Sequence, residues 1–285
     1  MAKKKRVGKL KEQKDKPDYK IYGVRKMDDF APIERELPRP LETMIEKGGG
    51  VLALFAPPGS GKSNFISNLL LRDDFFKDLF EGGLYIISPT ILNDLTSAHL
   101  RDYADFTETQ YSEELVNGIF QMLMDTPNDE KALSCLLLDD CLGSIKMNSI
   151  CNRVASTCRH NRQLVIFSLQ AIKNGLPSSI RSNISHTITF YQPSSKQLAD
   201  VVELHSMMGG EENFLRCYNE ATSEKYGFLL SDFRDMKLYR WGGQTDEPVL
   251  VWSRYDENGN IINPTKQTTD DIKTGNKSML KEDKV

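Results

Sequence analysis

Residues 51–63 read Val51-Leu52-Ala53-Leu54-Phe55-Ala56-Pro57-Pro58-Gly59-Ser60-Gly61-Lys62-Ser63, an apolar run that stops at two prolines and closes on Gly-Ser-Gly-Lys-Ser. The apolar part has the length of a strand buried on both faces, and a helix is expected from Lys62 to about residue 71. A glycine-rich turn between such a strand and helix is the context a phosphate-binding loop demands. Glycines bring backbone N–H groups against phosphate oxygens, and the helix aims its positive end at the same place. Lys62 is expected to reach the β- and γ-phosphates of a nucleotide and the Ser63 hydroxyl to ligate Mg2+. Pro58, Gly59, Ser60, Gly61, Lys62, Ser63 and Asn64 form the expected nucleotide-binding set. One position is irregular: the motif begins with Ala56 where glycine is usual, and alanine is less free at positive φ.

Outward from this loop, short apolar runs at 51–56, 83–88, 134–139, 164–169 and 187–191 alternate with helices expected over 62–71, 112–124 and 196–208. That alternation predicts an α/β fold with a mostly parallel central sheet flanked by helices. Apolar Leu115, Ile119, Met122 and Leu123 mark the expected inner face of the helix at 112–124. Pro57, Pro58, Pro89, Pro127, Pro177 and Pro193 fall between elements, where a missing N–H does least harm. Runs at 228–230 and 249–252 are expected to add antiparallel strands toward the C-terminus.

A second decisive stretch is Leu136-Leu137-Leu138-Asp139-Asp140, a buried strand ending in two carboxylates. Asp139 is the expected Mg2+ contact, and Asp140 is placed to orient or deprotonate the attacking water. The plain alternative for Asp140 is a helix N-cap. The strand at 83–88 is read as lying away from the phosphate-loop strand, as in P-loop ATPases in which a further strand separates the two motif strands. Gln170, after the run at 164–169, can hydrogen-bond the γ-phosphate or the water, or be an ordinary polar strand end.

Net charge is −3, but residues 1–26 carry eleven Lys or Arg against three Asp or Glu, leaving the rest of the chain eleven negative. A basic arm on an acidic body fits contacts to nucleic-acid phosphates, and Lys3-Lys4-Lys5-Arg6 also looks like a nuclear import signal. The expected organisation is a basic, largely disordered arm (1–35), a P-loop ATPase domain (36–254) and a flexible polar tail (255–285). No apolar run approaches a bilayer span and no secretory signal is evident, so cytosol or nucleus is expected. The five cysteines are odd in number and lack C-x-x-C spacing, which argues for reduced thiols over disulfides or a zinc ribbon.

The succession Pro58-Gly59-Ser60-Gly61-Lys62-Ser63, the strand ending Asp139-Asp140, Cys158-Arg159-His160-Asn161, Ser168-Leu169-Gln170 and Leu176-Pro177-x-x-Ile180-Arg181-x-Asn183 resembles the poxvirus-type genome-packaging ATPases of large DNA viruses and virophages. These are a branch of the FtsK–HerA superfamily, and the resemblance covers roughly residues 45–195. It implies a RecA-like P-loop NTPase that binds ATP and Mg2+. It also implies a homo-oligomeric ring, hexamer or pentamer, that drives double-stranded DNA into a viral capsid through a portal-like vertex. The implied location is the host cytoplasm, in a viral factory, or the nucleus, with association to the virion. In such rings an arginine of one subunit reaches its neighbour's nucleotide, and Arg181 and Arg159 are the candidates, with Arg162 behind them. Readings from other classes are a cellular or plasmid DNA translocase, a small-molecule kinase and a nucleotide-gated structural protein.

Overall fold

Side-chain alternation along the strands divides the core in two, and a computed structural model of the chain, which describes residues 35–141, 143–172 and 176–262, shows how. The first strand, β1 (Gly49–Phe55), is buried throughout. Val51, Ala53 and Phe55 enter one apolar cluster, while Leu52 and Leu54 enter the other. Period-two alternation in a strand buried on both faces requires that split. β4 (Ser134–Asp139) and β5 (Gln163–Leu169) divide the same way, with Leu136, Leu138, Val165 and Phe167 facing one cluster and Leu137, Leu164 and Ile166 the other. Each large side chain taken fully from water contributes about 1.5–3 kcal/mol.

Nine strands form one sheet among the described residues. The others are β2 (Leu84–Ile87), β3 (Phe106–Glu108), β6 (His186–Phe190), β7 (Gly227–Asp232), β8 (Lys237–Gly242) and β9 (Thr245–Ser253). Their order is β3-β2-β4-β5-β1-β6-β7-β8-β9. Pairing is parallel from β3 to β6 and antiparallel from β6 to β9. The expected mostly parallel sheet with antiparallel C-terminal strands is therefore present. β2 lies away from β1 as read from the sequence, and the strand between β1 and β4 is β5. β8 was not foreseen; it stands between β7 and β9, so the runs at 228–230 and 249–252 do not pair with each other.

Helices cover both faces. α1 (Arg39–Ile45), α2 (Lys62–Leu71) and α3 (Ala98–Tyr103) pack on the Leu52 side; α4 (Glu113–Asp125), α5 (Ile150–Thr157), α7 (Ser195–Leu204) and α8 (Glu211–Ala221) pack on the Val51 side. The short α6 (Ser178–Arg181) leads into β6. α2 has the expected bounds, and α4 starts at the N-cap Ser112, whose hydroxyl accepts from the Leu115 N–H at 3.1 Å. Its inner face is Val116, Ile119, Phe120 and Leu123, whereas Met122, expected inside, is exposed. Four residues sooner than the expected 208, α7 stops at Leu204, because His205 turns its ring into the core and Gly209 and Gly210 take positive φ.

At the ends of the strands away from the loop after β1, Thr43, His186 and Asp232 form a wholly buried hydrogen-bonded set. The Arg234 guanidinium donates to the carbonyls of Thr43 and Gly49 beside it. Residues 255–262 make a turn closed by a Tyr255–Ile261 bridge. Most of the expected arm (1–34) and residues 263–285 of the expected tail lie outside the described residues. Among the described residues no helix is long and apolar enough to cross a membrane.

Candidate active site

Chain direction builds the site. The polypeptide leaves β1 toward β2 on one side and leaves β5 toward β6 on the other, so the C-terminal ends of β1, β4 and β5 open onto a shared crevice. A cleft of about 990 Å³ occupies it, enough for a nucleoside triphosphate. Pro58, Gly59, Gly61, Lys62, Ser63, Asn64, Asp140 and Gln170 line it. Ser60 lies in the same loop and Asp139 beneath it.

The loop has the backbone the motif requires. Gly59 and Gly61 sit at φ 76° and 97°, where a side chain would be strained. Ala56, the irregular position, is not among the described residues with positive φ; its N–H donates to the Leu169 carbonyl at 3.0 Å and extends the β1 ladder. Alanine therefore fits, because the turn begins after it. Gly61 is the N-cap of α2 and supplies no side-chain cap, and the first turn holds no acidic residue. The positive end of the helix is left facing the cleft, which favours an anion there. The buried Ser60 Oγ in the same loop has no hydrogen-bond partner.

Beneath the loop, Lys62 Nζ is 2.9 Å from Asp139 Oδ1 and 2.7 Å from Asp140 Oδ2. Burial opposes the ammonium charge, but the two carboxylates outweigh it and hold the lysine above its usual value. The second oxygen of Asp139 accepts from Ser88 Oγ at 2.9 Å. Asp140 caps no helix, since the next one, α5, is capped by Ser149. It sits at φ 49°, a region that Asp tolerates better than bulkier residues, with its N–H bonded to the Ser168 carbonyl at 3.0 Å. Such strain at a strand end aims the carboxylate into the cleft. Gln170 Nε2 stands 3.5 Å from Asp140 Oδ1, the outer limit of hydrogen bonding. Ser63 and Asp139 carry oxygen donors of the kind Mg2+ takes, but Lys62 and Ser88 hold both Asp139 oxygens, so Asp139 would reach a cation only after Lys62 turns away.

The arginines are elsewhere. Arg159 follows α5 and shares the electrostatic surroundings of Arg234, which binds the Gly49 carbonyl at the start of β1. Six steps along β1, roughly 20 Å, separate that point from the loop. Arg181 ends α6, with its Nε buried and without a hydrogen-bond partner, and Arg162 donates to the Lys131 carbonyl at 2.6 Å. None of the three lines the cleft of its own chain.

Two parts of the cleft were not read from the sequence. One is polar: Thr90, Asn93, Asp94 and Thr96. Burial alone would raise the Asp94 carboxyl, but hydrogen bonds from Ser63, Ser97 and Thr96 hold it below the usual carboxylate range. The other is aromatic, contributed by Phe65 and Phe75 with Phe190, Tyr226, Phe228 and Trp241. An acidic residue two before a Thr-Ser pair, and a Gly-Gly dipeptide after Trp241, were the available signals, and neither names a nucleotide.

No family model and no curated protein sequence matches the chain. Solved structures do. The genome packaging NTPase B204 from Sulfolobus turreted icosahedral virus 2, in complex with sulfate, aligns with TM-score 0.50 at 14% identity over 68% of this chain and 97% of that one. The same NTPase in complex with AMP gives TM-score 0.50 at 14% identity over 68% of this chain and 98% of the other. The likeness establishes a shared P-loop NTPase fold.

Proposed function

We propose that this chain, built on the fold of a viral genome-packaging NTPase, is an ATP-hydrolysing motor that moves double-stranded DNA into a viral capsid. The observation that carries the reading is Lys62 held between Asp139 and Asp140 beneath an uncapped helix N-terminus. Lys62 and the loop N–H groups hold the β- and γ-phosphates, and Ser63 with Asp139 holds Mg2+, which neutralises charge on the transferred phosphoryl group. Asp140 accepts the proton of the attacking water, and Gln170 orients that water. Lys62 must turn from the carboxylates toward the phosphates as Mg2+ and ATP arrive, so one lysine serves both states.

By the resemblance, the charge on the γ-phosphate is met by Arg181 or Arg159 of an adjacent subunit in a homo-oligomeric ring, a hexamer or pentamer; neither lines the chain's own cleft, whose one lining arginine among the described residues is Arg72. The basic arm contacts DNA phosphates without reading bases. The motor works at the capsid vertex, in a viral factory or the nucleus. ATP turnover measured with and without double-stranded DNA, on material of known oligomeric state, tests this. Stimulation by DNA is expected; steady hydrolysis that DNA leaves unchanged in ring-forming material overturns the translocase reading.

A further inference from the structure

The cleft has two arms of opposite chemistry. One, around Ser63, Thr90, Asn93 and Asp94, offers hydroxyls, an amide and a carboxylate. The other is lined by Gly61, Tyr226 and the Gly242–Gly243 turn together with buried Phe190, Phe228 and Trp241 and the partly buried Phe65. Among these rings Phe65 meets Phe228 at 4.9 Å and Trp241 at 5.6 Å between ring centroids. A cation suits the first arm; a flat, weakly polar heterocycle suits the second.

Tyr226 stands apart from the buried rings. Its backbone is at φ 67°, a conformation a bulky residue rarely adopts, yet the residue is 51% exposed. The strain is therefore not offset by burial. Glycines let neighbouring backbone approach it closely. A Cβ on Gly242 would lie 2.5 Å from the Tyr226 carbonyl oxygen, and one on Gly227 would lie 2.4 Å from the Ala221 carbonyl oxygen. A Cβ on Gly61, the last glycine of the phosphate loop, would come 3.1 Å from the Tyr226 ring. The ring thus lies against the phosphate loop at the mouth of the aromatic arm. Residues kept in costly conformations by their surroundings cluster at ligand clamps.

We propose that Tyr226 stacks on the nucleobase, which lies in the aromatic arm between its ring and the Gly242–Gly243 turn. This rests on the reading of the loop as a nucleotide site and adds the residue that recognises the part of the ligand the loop does not touch. Lys225, whose Nζ stands 4.8 Å from the ring centroid, enriches the same surface in positive charge.

Binding of ATP and of inorganic tripolyphosphate to the full chain, each with Mg2+, separates the two parts of the ligand. Tyr226→Asn removes the ring and tolerates the same backbone; Tyr226→Phe keeps the ring. The Asn variant should bind ATP on the order of tenfold more weakly and tripolyphosphate as the wild type does. Its melting temperature should be equal or higher, and the Phe variant should bind both normally. Unchanged ATP affinity in the Asn variant overturns the proposal and leaves Tyr226 to a contact with another chain. Equal weakening of ATP and tripolyphosphate also overturns it, since Tyr226 would then act only by shaping Gly61. A wild type that binds neither ligand overturns the nucleotide reading itself, and the base assignment with it.

Discussion

Replacing Lys62 by methionine keeps the aliphatic stem and removes the one cation between two carboxylates. At an effective dielectric of about 20, opposite unit charges about 2.8 Å apart attract by about 6 kcal/mol, and Lys62 makes two such contacts. Desolvation of the ammonium and repulsion between the aspartates consume most of that. Removing one member of a buried charge pair costs about 3–5 kcal/mol. The side chains of Lys62 and Asp139 retain 12% exposure and that of Asp140 21%, which lets water relieve part of the loss and sets the expectation at about 2–3 kcal/mol. Urea unfolding near pH 7, followed by fluorescence of the buried Trp241 and Trp252, reads the loss. A variant as stable as the wild type refutes the reasoning. Added Mg2+ should restore part of the loss.

Asp140→Asn, which tolerates φ near 49°, should lower phosphate release by roughly 10²–10⁴-fold while ATP binding persists in titration calorimetry; unchanged turnover removes Asp140 from the base role. Gly242→Ala, at φ 77° with its new Cβ 2.5 Å from the Tyr226 oxygen, should cost about 1–3 kcal/mol in chemical denaturation, and an unshifted midpoint would contradict the close approach. The His205 ring bonds Thr187 and the Val201 carbonyl, and burial pushes its pKa down to about 4. The unfolded chain takes up that proton first, so stability should drop as pH falls from about 6.5 to about 4, by about 3 kcal/mol in all. Thermal melts across that range should show a shallower drop for His205→Gln; an identical slope would reject His205 as its source.

The sequence disclosed what is local. The phosphate loop and α2 could be read to the residue because glycine, lysine and serine act within one turn, and the Leu-rich run before Asp139 has a single structural use. Of the sheet order, only the placement of β2 away from β1 was read, and β3 and β8 were not expected. The register of α4 was misjudged at Met122, because Met122 and Leu123 are adjacent and the face settled on Val116, Ile119, Phe120 and Leu123. α8 carried a readable pattern, with Phe214, Cys217, Tyr218 and Ala221 at helical spacing behind Gly209–Gly210, that went unread. β8 is masked by Lys237 and Arg240 among its apolar residues. The aromatic side of the cleft was out of reach for a different reason. Phe65, Phe190, Tyr226 and Trp241 are far apart in the chain and meet only after the sheet has formed.

Pairing changes from parallel to antiparallel once in this sheet, at the β6–β7 pair. The glycine-rich loop, Asp139, Asp140 and Gln170 hang from the parallel half, while the 222–226 turn and the Gly242–Gly243 turn hang from the antiparallel half. Lengthening or recolouring either turn would leave the pairing of β1, β4 and β5 untouched. On the reading proposed above, substitutions in the two turns would change base preference without moving Lys62, Asp139 or Asp140.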